Sequence, residues 1–118
     1  MRLHAIIVSA DFDEIEAAHK EACAIFEAPH VDGTTFGGIV SSLTDEAVNG
    51  YRSFLVAPDG SKEGWPTSKL FDERRDEFVE WMRSNEALCL DWVEVQFGDD
   101  DGKTLIVRHS DDYLDAQA

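Results

Sequence analysis

Two stretches of helical hydrophobic spacing, set among short alternating segments, constrain the fold of this chain more than any other feature. The first begins after Asp11, which has the spacing of a capping box with the glutamate three residues later, and it ends before Pro29. The second runs from a cap at Thr67 or Ser68 to about Ser84 and has a broad apolar stripe. The sequence therefore predicts two helices, each with one face toward a core.

Five segments around these helices have the alternation or apolar enrichment of β-strands. They are residues 2–9, 39–43, 51–57, 88–97 and 104–109. The resulting order, β-α-β-β-α-β-β, predicts an α+β fold that is ferredoxin-like or a related sandwich. In such a fold both helices lie on one face of a mainly antiparallel sheet.

The length of 118 residues and the hydrophobic content of 43% fit one folded domain, residues 1–118, with 110–118 as a frayed tail. No apolar run approaches the roughly 20 residues that span a bilayer, and no basic region precedes an apolar stretch at the N-terminus. We therefore expect neither a membrane span nor a signal peptide. Cys23 and Cys89 belong to no closely spaced cluster, so free thiols and a cytoplasmic location are expected.

The net charge of −15, from 25 acidic and 10 basic residues, is the one extreme property of the composition. The acidic residues are spread along the chain, so the whole surface is expected to be negative. Such a field repels nucleic acid and anionic membranes, because phosphate binding depends on Lys and Arg. The favoured partner is a basic protein surface, and direct binding to nucleic acid or membrane is not expected.

No catalytic, cofactor or metal motif stands out in the sequence. The four histidines lack ligand spacing, and there is no nucleophile elbow, Walker loop or dinucleotide fingerprint. We therefore predict no catalytic, cofactor-binding or metal-binding residues and no enzyme activity. The alternative is a small enzyme that uses a histidine and a carboxylate across the sheet, or Cys23 with His19 at i,i+4 spacing.

The second predicted helix carries Arg74 and Arg75 among four carboxylates. At i,i+3 spacing Arg74 can meet Glu77, and Asp72 can meet Arg75. This pattern predicts a solvated salt-bridge face rather than a clamp for an anion.

A second acidic cluster lies in the turn between the last two predicted strands. Asp99, Asp100 and Asp101 supply the clustered carboxylates that calcium favours, and Asp111 and Asp112 can approach them. The alternating ligands and the distant bidentate glutamate of a calcium loop are missing. We therefore predict a plain hairpin turn.

Trp65 lies in a loop just before the second helix. A large aromatic residue on a loop can anchor a partner, and it is the best single candidate for that role. Alternatively, it forms a lid that packs on Phe71 over the start of the helix. We expect the lid.

The second half of the chain contains three segments with a family likeness. They are residues 59–65 (DGSKEGW), Arg74 and Arg75 together with Trp81, and residues 92–99 (WVEVQFGD). These segments resemble those of small uncharacterised acidic proteins of bacteria and their mobile elements. The resemblance implies no activity and no functional residues, but it implies a bacterial setting linked to phages or plasmids.

A compact acidic domain without enzymatic motifs is typical of a non-catalytic interaction module. We expect this chain to bind a basic protein surface, as a nucleic-acid mimic or an inhibitor. The alternative explanation of the charge is solubility or halophilic adaptation, since only four Lys accompany 14 Asp. The residues expected to carry the interaction are Trp65, Asp72, Glu73, Asp76, Glu77, Asp99, Asp100, Asp101, Asp111 and Asp112.

Overall fold

A four-stranded sheet and two α-helices make up the computed structural model, which describes residues 2–45, 48–62, 64–98 and 103–111. The helices are α1 (Phe12–Phe26) and α2 (Pro66–Ser84), and a short 3₁₀ turn at Glu86–Leu88 follows α2. The strands are β1 (Leu3–Asp11), β2 (Tyr51–Val56), β3 (Asp91–Phe97) and β4 (Leu105–His109).

The sheet is antiparallel throughout and has the strand order β2-β1-β3-β4. β1 is therefore an interior strand, as its apolar residues on both faces indicate. At its centre Val8 lies between Phe54 of β2 and Trp92 of β3. This register places residues from all three strands on the same face of the sheet.

Both helices pack on one face of the sheet. Ile6 and Val8 of β1 point toward them and are fully buried. They join a core with Phe26 of α1 and Phe78 of α2, whose rings meet edge to face with centroids 5.8 Å apart. Burial of these side chains removes apolar area from water, which is the largest favourable contribution to folding.

The opposite face of the sheet is not covered by a helix in the described part of the chain. Ile7, Leu55 and Ile106 on this face are 43%, 40% and 60% exposed. Because successive residues of a strand point to opposite faces, the neighbours Ile6 and Ile7 have opposite environments. The result is a half-exposed apolar face on an otherwise highly charged molecule.

The structure confirms the α+β class and the placement of two helices on one face of an antiparallel sheet, and the predicted order of elements matches in part. Four strands are described where five were predicted. The ferredoxin-like arrangement also differs, because α1 connects β1 to an antiparallel neighbour, β2. In a split βαβ unit the two strands joined through a helix are parallel.

The missing strand is the predicted one at 39–43. Within the described residues this segment forms only an isolated bridge, between Val40 and Val56. Side chains explain the irregularity, because the N–H of Leu55 donates to the hydroxyl oxygen of Ser41 at 2.9 Å. A second hydroxyl farther along, that of Thr44, accepts a β2 N–H in the same way. Hydroxyl oxygens thus replace main-chain carbonyls that a regular ladder would use.

The helix starts are close to the predicted positions, with one difference in chemistry. α1 follows Asp11 directly. α2 starts at Pro66, ahead of the predicted cap at Thr67 or Ser68. The fixed φ of proline suits the first helical position. A hydrogen bond with Asp11 raises the pKa of Glu14 above its ordinary value. The two carboxyl groups of the predicted capping box therefore interact with each other.

The predicted tail begins with a residue that is bound to the sheet. The N–H of Ser110 donates to the carbonyl oxygen of Trp92 at 3.0 Å. The rest of the tail, from residue 112 onward, lies outside the described residues.

Neither described helix combines the length and the apolar character that crossing a membrane requires.

Candidate functional site

A cleft of about 610 Å³ opens between the start of β1, the loop before α2 and the first turns of α2. We call it the α2 cleft. Its walls contain basic side chains and an aromatic ring, which is unexpected on so acidic a chain. The charged, histidine and aromatic residues that line it are Arg2, His4, Asp59, Trp65, Lys69, Asp72 and Arg75.

Arg75 connects the loop to the helix inside the α2 cleft. Its side chain is 4% exposed and pairs with Asp59 at 3.1 Å and with Asp72, one turn earlier in the helix. Burial alone raises the pKa of Asp59, but hydrogen bonds from Ser61 and Arg75 and the charge of Arg75 hold it below its ordinary value. Asp59 is therefore a fixed carboxylate.

A smaller cleft of about 390 Å³ adjoins the α2 cleft and shares His4, Asp72 and Arg75 with it. Its most buried polar group is Glu94 of β3, which is 2% exposed. Nδ1 of His4, on β1, donates to Glu94 at 3.2 Å, and Nε of Arg108, on β4, donates to it at 2.9 Å. Three neighbouring strands thus each supply one member of a cluster around the buried carboxylate of Glu94.

The buried cluster fixes the ionisation of Glu94. Burial alone raises the pKa of Glu94, but the hydrogen bonds from His4 and Arg108 and the charge of Arg108 lower it below its usual value. The carboxylate in turn holds the hydrogen of His4 on Nδ1. A histidine oriented by a buried carboxylate is the arrangement used in general-base catalysis, so this site has the groups needed to accept a proton.

The sequence predicted a histidine and a carboxylate across the sheet only as an unnamed alternative. His4 and Glu94 are 90 positions apart, and only the pairing of β1 with β3 brings them together. Strand alternation was the available signal, because Glu94 shares a face with the core residue Trp92. An unpaired carboxylate at such a position is costly, so a charged partner nearby is expected.

The second predicted pair, His19 and Cys23, is in contact, but its geometry opposes thiolate chemistry. Nε2 of His19 donates to the carbonyl oxygen of Ser41 at 2.8 Å and lies 4.0 Å from the sulfur of Cys23. Burial, followed by the charge of Glu27, raises the pKa of the Cys23 thiol. The thiol is protonated, and the nearby nitrogen already carries a hydrogen, so this pair supplies no activated nucleophile.

Arg74 does not take part in the predicted surface salt bridges. Its side chain is 7% exposed and donates to the backbone carbonyl oxygens of Phe26 and Ala28 at 2.7 and 2.8 Å. The prediction of an Arg74–Glu77 pair is therefore wrong. The physical reason is that the carbonyl of Phe26, the last residue of α1, has no partner within its own helix, and the guanidinium donates to it and to the Ala28 carbonyl in the turn that follows.

The outer face of α2 consequently carries a row of carboxylates. Asp72 pairs with Arg75 as predicted, and Asp76 pairs with Arg108 at 2.9 Å. Glu73 and Glu77 are exposed, and no ion pair involves either of them within the described residues. We call Asp72, Glu73, Asp76, Glu77 and Glu80 the α2 acidic row.

Trp65 is the N-cap residue of α2 and is 53% exposed. Its ring lies beside Lys62, with Nζ 5.7 Å from the ring centroid. This exposure does not fit the predicted lid on Phe71, and the aromatic ring that meets Phe71 within the described residues is that of Phe36, at a centroid distance of 5.2 Å. Trp65 instead forms part of the wall of the α2 cleft.

The acidic turn lies mostly outside the described residues, which exclude Asp99, Asp100, Asp101 and Asp112. Asp111 is exposed, and its N–H donates to Nδ1 of His109 at 3.2 Å. Among the residues that the structure describes, no three His, Cys, Asp or Glu side chains are grouped to hold a metal ion.

Comparison of the chain with protein-family models, with curated proteins and with solved structures finds no match. A proposal about function therefore has to rest on the chemistry of the described side chains.

Proposed function

We propose that this chain is a non-catalytic acidic interaction domain that binds a basic protein surface through the α2 acidic row. The observation that supports the proposal is the burial of Arg74 and Arg75, neither of which pairs with Glu73 or Glu77, so these two exposed carboxylates have no ion pair within the described residues. Negative charge of this kind steers a cationic partner over roughly a Debye length, about 10 Å at 0.1 M salt.

Helix geometry gives the row a regular spacing. Glu73, Glu77 and Glu80 are three or four residues apart, so they project from one face with a rise of about 4.5 to 6 Å between neighbours. This spacing suits a basic helix or strand whose Lys and Arg side chains recur at similar intervals. In its finer form, the proposal is that the row imitates a nucleic-acid backbone and that the domain inhibits a nucleic-acid-binding protein.

We place the domain in the bacterial cytoplasm. The free thiols of Cys23 and Cys89 suit a reducing compartment. The resemblance of residues 59–65 and 92–99 to small bacterial proteins supports the bacterial source.

A pull-down from a bacterial lysate tests the α2 acidic row. The variant Glu73→Gln/Glu77→Gln removes two charges at nearly constant side-chain size. The matched control, Asp13→Asn/Glu16→Gln, removes two charges from exposed positions of α1. At about 50 mM salt we expect wild type and control to retain a basic partner and the α2 variant to lose most of it, because screening is weak there.

Salt concentration supplies the second arm of the same experiment. At about 0.5 M salt we expect wild type to release the partner, since the attraction is between exposed charges. Binding that withstands this salt, or equal losses in the α2 variant and the α1 control, contradicts the proposal. Unfolding curves establish that both variants are folded.

A small enzyme is the second candidate, and the observation that favours it is the orientation of His4 by Glu94 beside an open cleft. Hydrolysis of p-nitrophenyl acetate and p-nitrophenyl phosphate tests it. If His4 is catalytic, we expect His4→Asn to lower the rate of hydrolysis by about tenfold or more. The control His30→Asn is expected to leave this rate unchanged. Rates equal to the buffer blank remove this candidate for both reaction classes.

A further inference from the structure

The face of the sheet opposite to the helices is apolar across its middle. Paired residues of neighbouring antiparallel strands point to the same side of a sheet, so the register identifies this face. Two adjacent rows of it contain the aliphatic residues Leu55, Ile7, Val93, Ala5, Val95 and Ile106. We call this surface the open sheet face. A sheet face in water usually carries polar residues, so this pattern is typical of a face that is covered.

Three polar side chains near the open sheet face have hydrogen-bond partners within the chain. The hydroxyl groups of Ser9 and Ser53 are bonded to each other at 2.6 Å. Nδ1 of His109, at the edge of the face, accepts the N–H of Asp111 at 3.2 Å. These hydrogen bonds persist when the face is covered, so covering it does not leave these atoms without a partner.

The carboxylates that adjoin the open sheet face lie at one end of it. Asp91 is paired with Ser9, and Asp11 lies one row farther out. In the described register, no acidic residue, Lys or Arg occupies the rows from Ile7 to Leu3 on this face. A basic partner would have to bury its own charges there without counter-charges, which is costly. The partner of this face is therefore apolar at its centre.

The size of the open sheet face suits a second copy of the chain. Four strands make the sheet roughly 19 Å wide, and the seven paired rows of β1 and β3 make it about 23 Å long. Packing of two such faces buries on the order of 1,000 Å² of accessible surface, which is the lower limit of specific interfaces. A second sheet also matches the face in shape, as in a β-sandwich.

The distribution of charge permits this association although each copy has a net charge of −15. The α2 acidic row lies in the helix layer, on the far side of the sheet from the open sheet face. In a face-to-face dimer the two rows are separated by two sheets and two helix layers, roughly 30 Å in total. This distance exceeds the Debye length, which is about 10 Å at 0.1 M salt.

We propose that the open sheet face binds a second copy of this chain, so that two sheets pack face to face about a two-fold axis. An axis that crosses the strands between the rows of Ala5 and Ile7 places the Asp91 end of one copy over the Leu3 end of the other, which keeps the carboxylates of the two copies apart. The dimer leaves each α2 acidic row uncovered, so it is independent of the proposed binding to a basic surface.

Sedimentation equilibrium of the whole chain tests the proposal. At about 0.15 M NaCl we expect a monomer–dimer equilibrium with a dissociation constant on the order of 10–100 µM, because the buried area is small. Ile7→Lys is expected to weaken the dimer at least tenfold, because it buries two ammonium groups close to the axis. The control Val31→Lys adds the same charge at a loop residue that is 97% exposed, and it is expected to leave the dissociation constant unchanged.

Ile106→Lys, at a residue of the same face that is 60% exposed, is the second variant and decides the test if Ile7→Lys does not fold. Circular dichroism establishes which variants are folded. A chain that stays monomeric at about 0.5 mM overturns the proposal and leaves the face to another occupant. A dimer that the folded variants of the face weaken no more than Val31→Lys does also overturns it.

Salt distinguishes this association from binding through the α2 acidic row. Raising NaCl from about 0.05 to 0.5 M is expected to strengthen the dimer, because it screens the repulsion between two acidic copies and leaves the apolar contact intact. Binding of a basic partner is expected to weaken over the same range. A dimer that dissociates as salt is added contradicts an apolar interface.

Discussion

Arg74 and Arg75 are adjacent in the sequence but stabilise different parts of the molecule. Arg74 points toward α1 and binds the carbonyl groups at its C-terminal end. Arg75 points toward the loop before α2 and holds Asp59. Residues 72–77 of α2 comprise four acidic and two basic residues. Because the two basic side chains are buried, the surface of this segment is more negative than its composition indicates.

We expect Arg74→Met to lower the free energy of unfolding by about 2–4 kcal/mol, because two carbonyl groups at the end of α1 lose their donors. Methionine retains much of the apolar stem, so the loss reports mainly on the hydrogen bonds. Lys20→Met, at an exposed position of α1, is the control and is expected to cost about 1 kcal/mol or less. Urea unfolding curves measure both, and equal costs contradict the assigned role of Arg74.

Glu94 makes the stability of the fold depend on acid. Its pKa is lowered in the folded protein, because the hydrogen bonds donated by His4 and Arg108 outweigh the effect of burial. The folded protein thus binds this proton less readily than the unfolded chain does. Glu94 therefore contributes stability that is complete above its ordinary pKa, about 4.3, and that is lost as the pH falls through the lower, folded-state pKa.

The pH dependence of Glu94→Gln tests this role. We expect its free energy of unfolding to fall less steeply than that of wild type between about pH 5 and pH 3, because the titrating group is gone. Glu80→Gln, at an exposed position of α2, is expected to retain the wild-type slope. If all three proteins have the same slope, Glu94 is not the group that couples stability to acid.

At the scale of elements, β1 decides the architecture. It pairs with two strands and separates the helix-covered face of the sheet from the open one. From Ile6 to Val8 its side chains alternate between the buried and the exposed environment. A shift of its register by one residue would bring Ile7 into the core and expose Ile6, so the pairing is strongly specified.

Two neighbouring substitutions in β1 test this division. We expect Ile6→Ala to cost about 2–5 kcal/mol, because Ile6 is fully buried and its truncation leaves a cavity. Ile7→Ala, the same change one residue later, is expected to cost about 1 kcal/mol or less because the site is half-exposed. Similar costs in urea unfolding contradict the described register.

Local patterns in the sequence predicted both helices and all four described strands, because these elements have helical spacing or strand alternation of their own. The predicted strand at 39–43 also has this pattern, but its regularity depends on hydrogen bonds with β2. The hydroxyls of Ser41 and Thr44 compete for those bonds. Such competition is a tertiary effect, and the local alternation of residues contains no information about it.

The α2 cleft was less predictable than the fold. Asp59 and Arg75 were each visible as charged residues, but their contact depends on how the loop folds back on α2. The direction of Arg74 was also hidden, since i,i+3 spacing is compatible with a surface pair. An arginine at a core-facing position of the helical pattern is the signal that predicts its burial.

At the scale of the whole molecule, the net charge is −15, and most of the described acidic side chains are exposed. The described basic side chains are few, and several serve internal contacts, so repulsion among the outer carboxylates opposes the compact state. Dissolved cations reduce this repulsion by screening.

We expect the melting temperature to rise between about 0.01 and 0.3 M NaCl and then to level off, because the Debye length is already short at that concentration. A melting temperature that levels off in this way agrees with an acidic surface whose role is binding. A steep rise that continues into molar salt supports halophilic adaptation instead. A melting temperature that does not respond to salt contradicts the repulsion argument itself.

The pairing of Leu3 with Phe97 also affects how the chain folds while it is being made. A ribosome releases β1 early, but β3, its partner on one side, follows only after most of the described chain has been synthesised. Until then a central strand with the apolar residues Ile6 and Val8 has one unpaired edge, and such edges associate readily with other chains. Slow folding and sensitivity to truncation before β3 are the consequences of placing the first strand in the middle of the sheet.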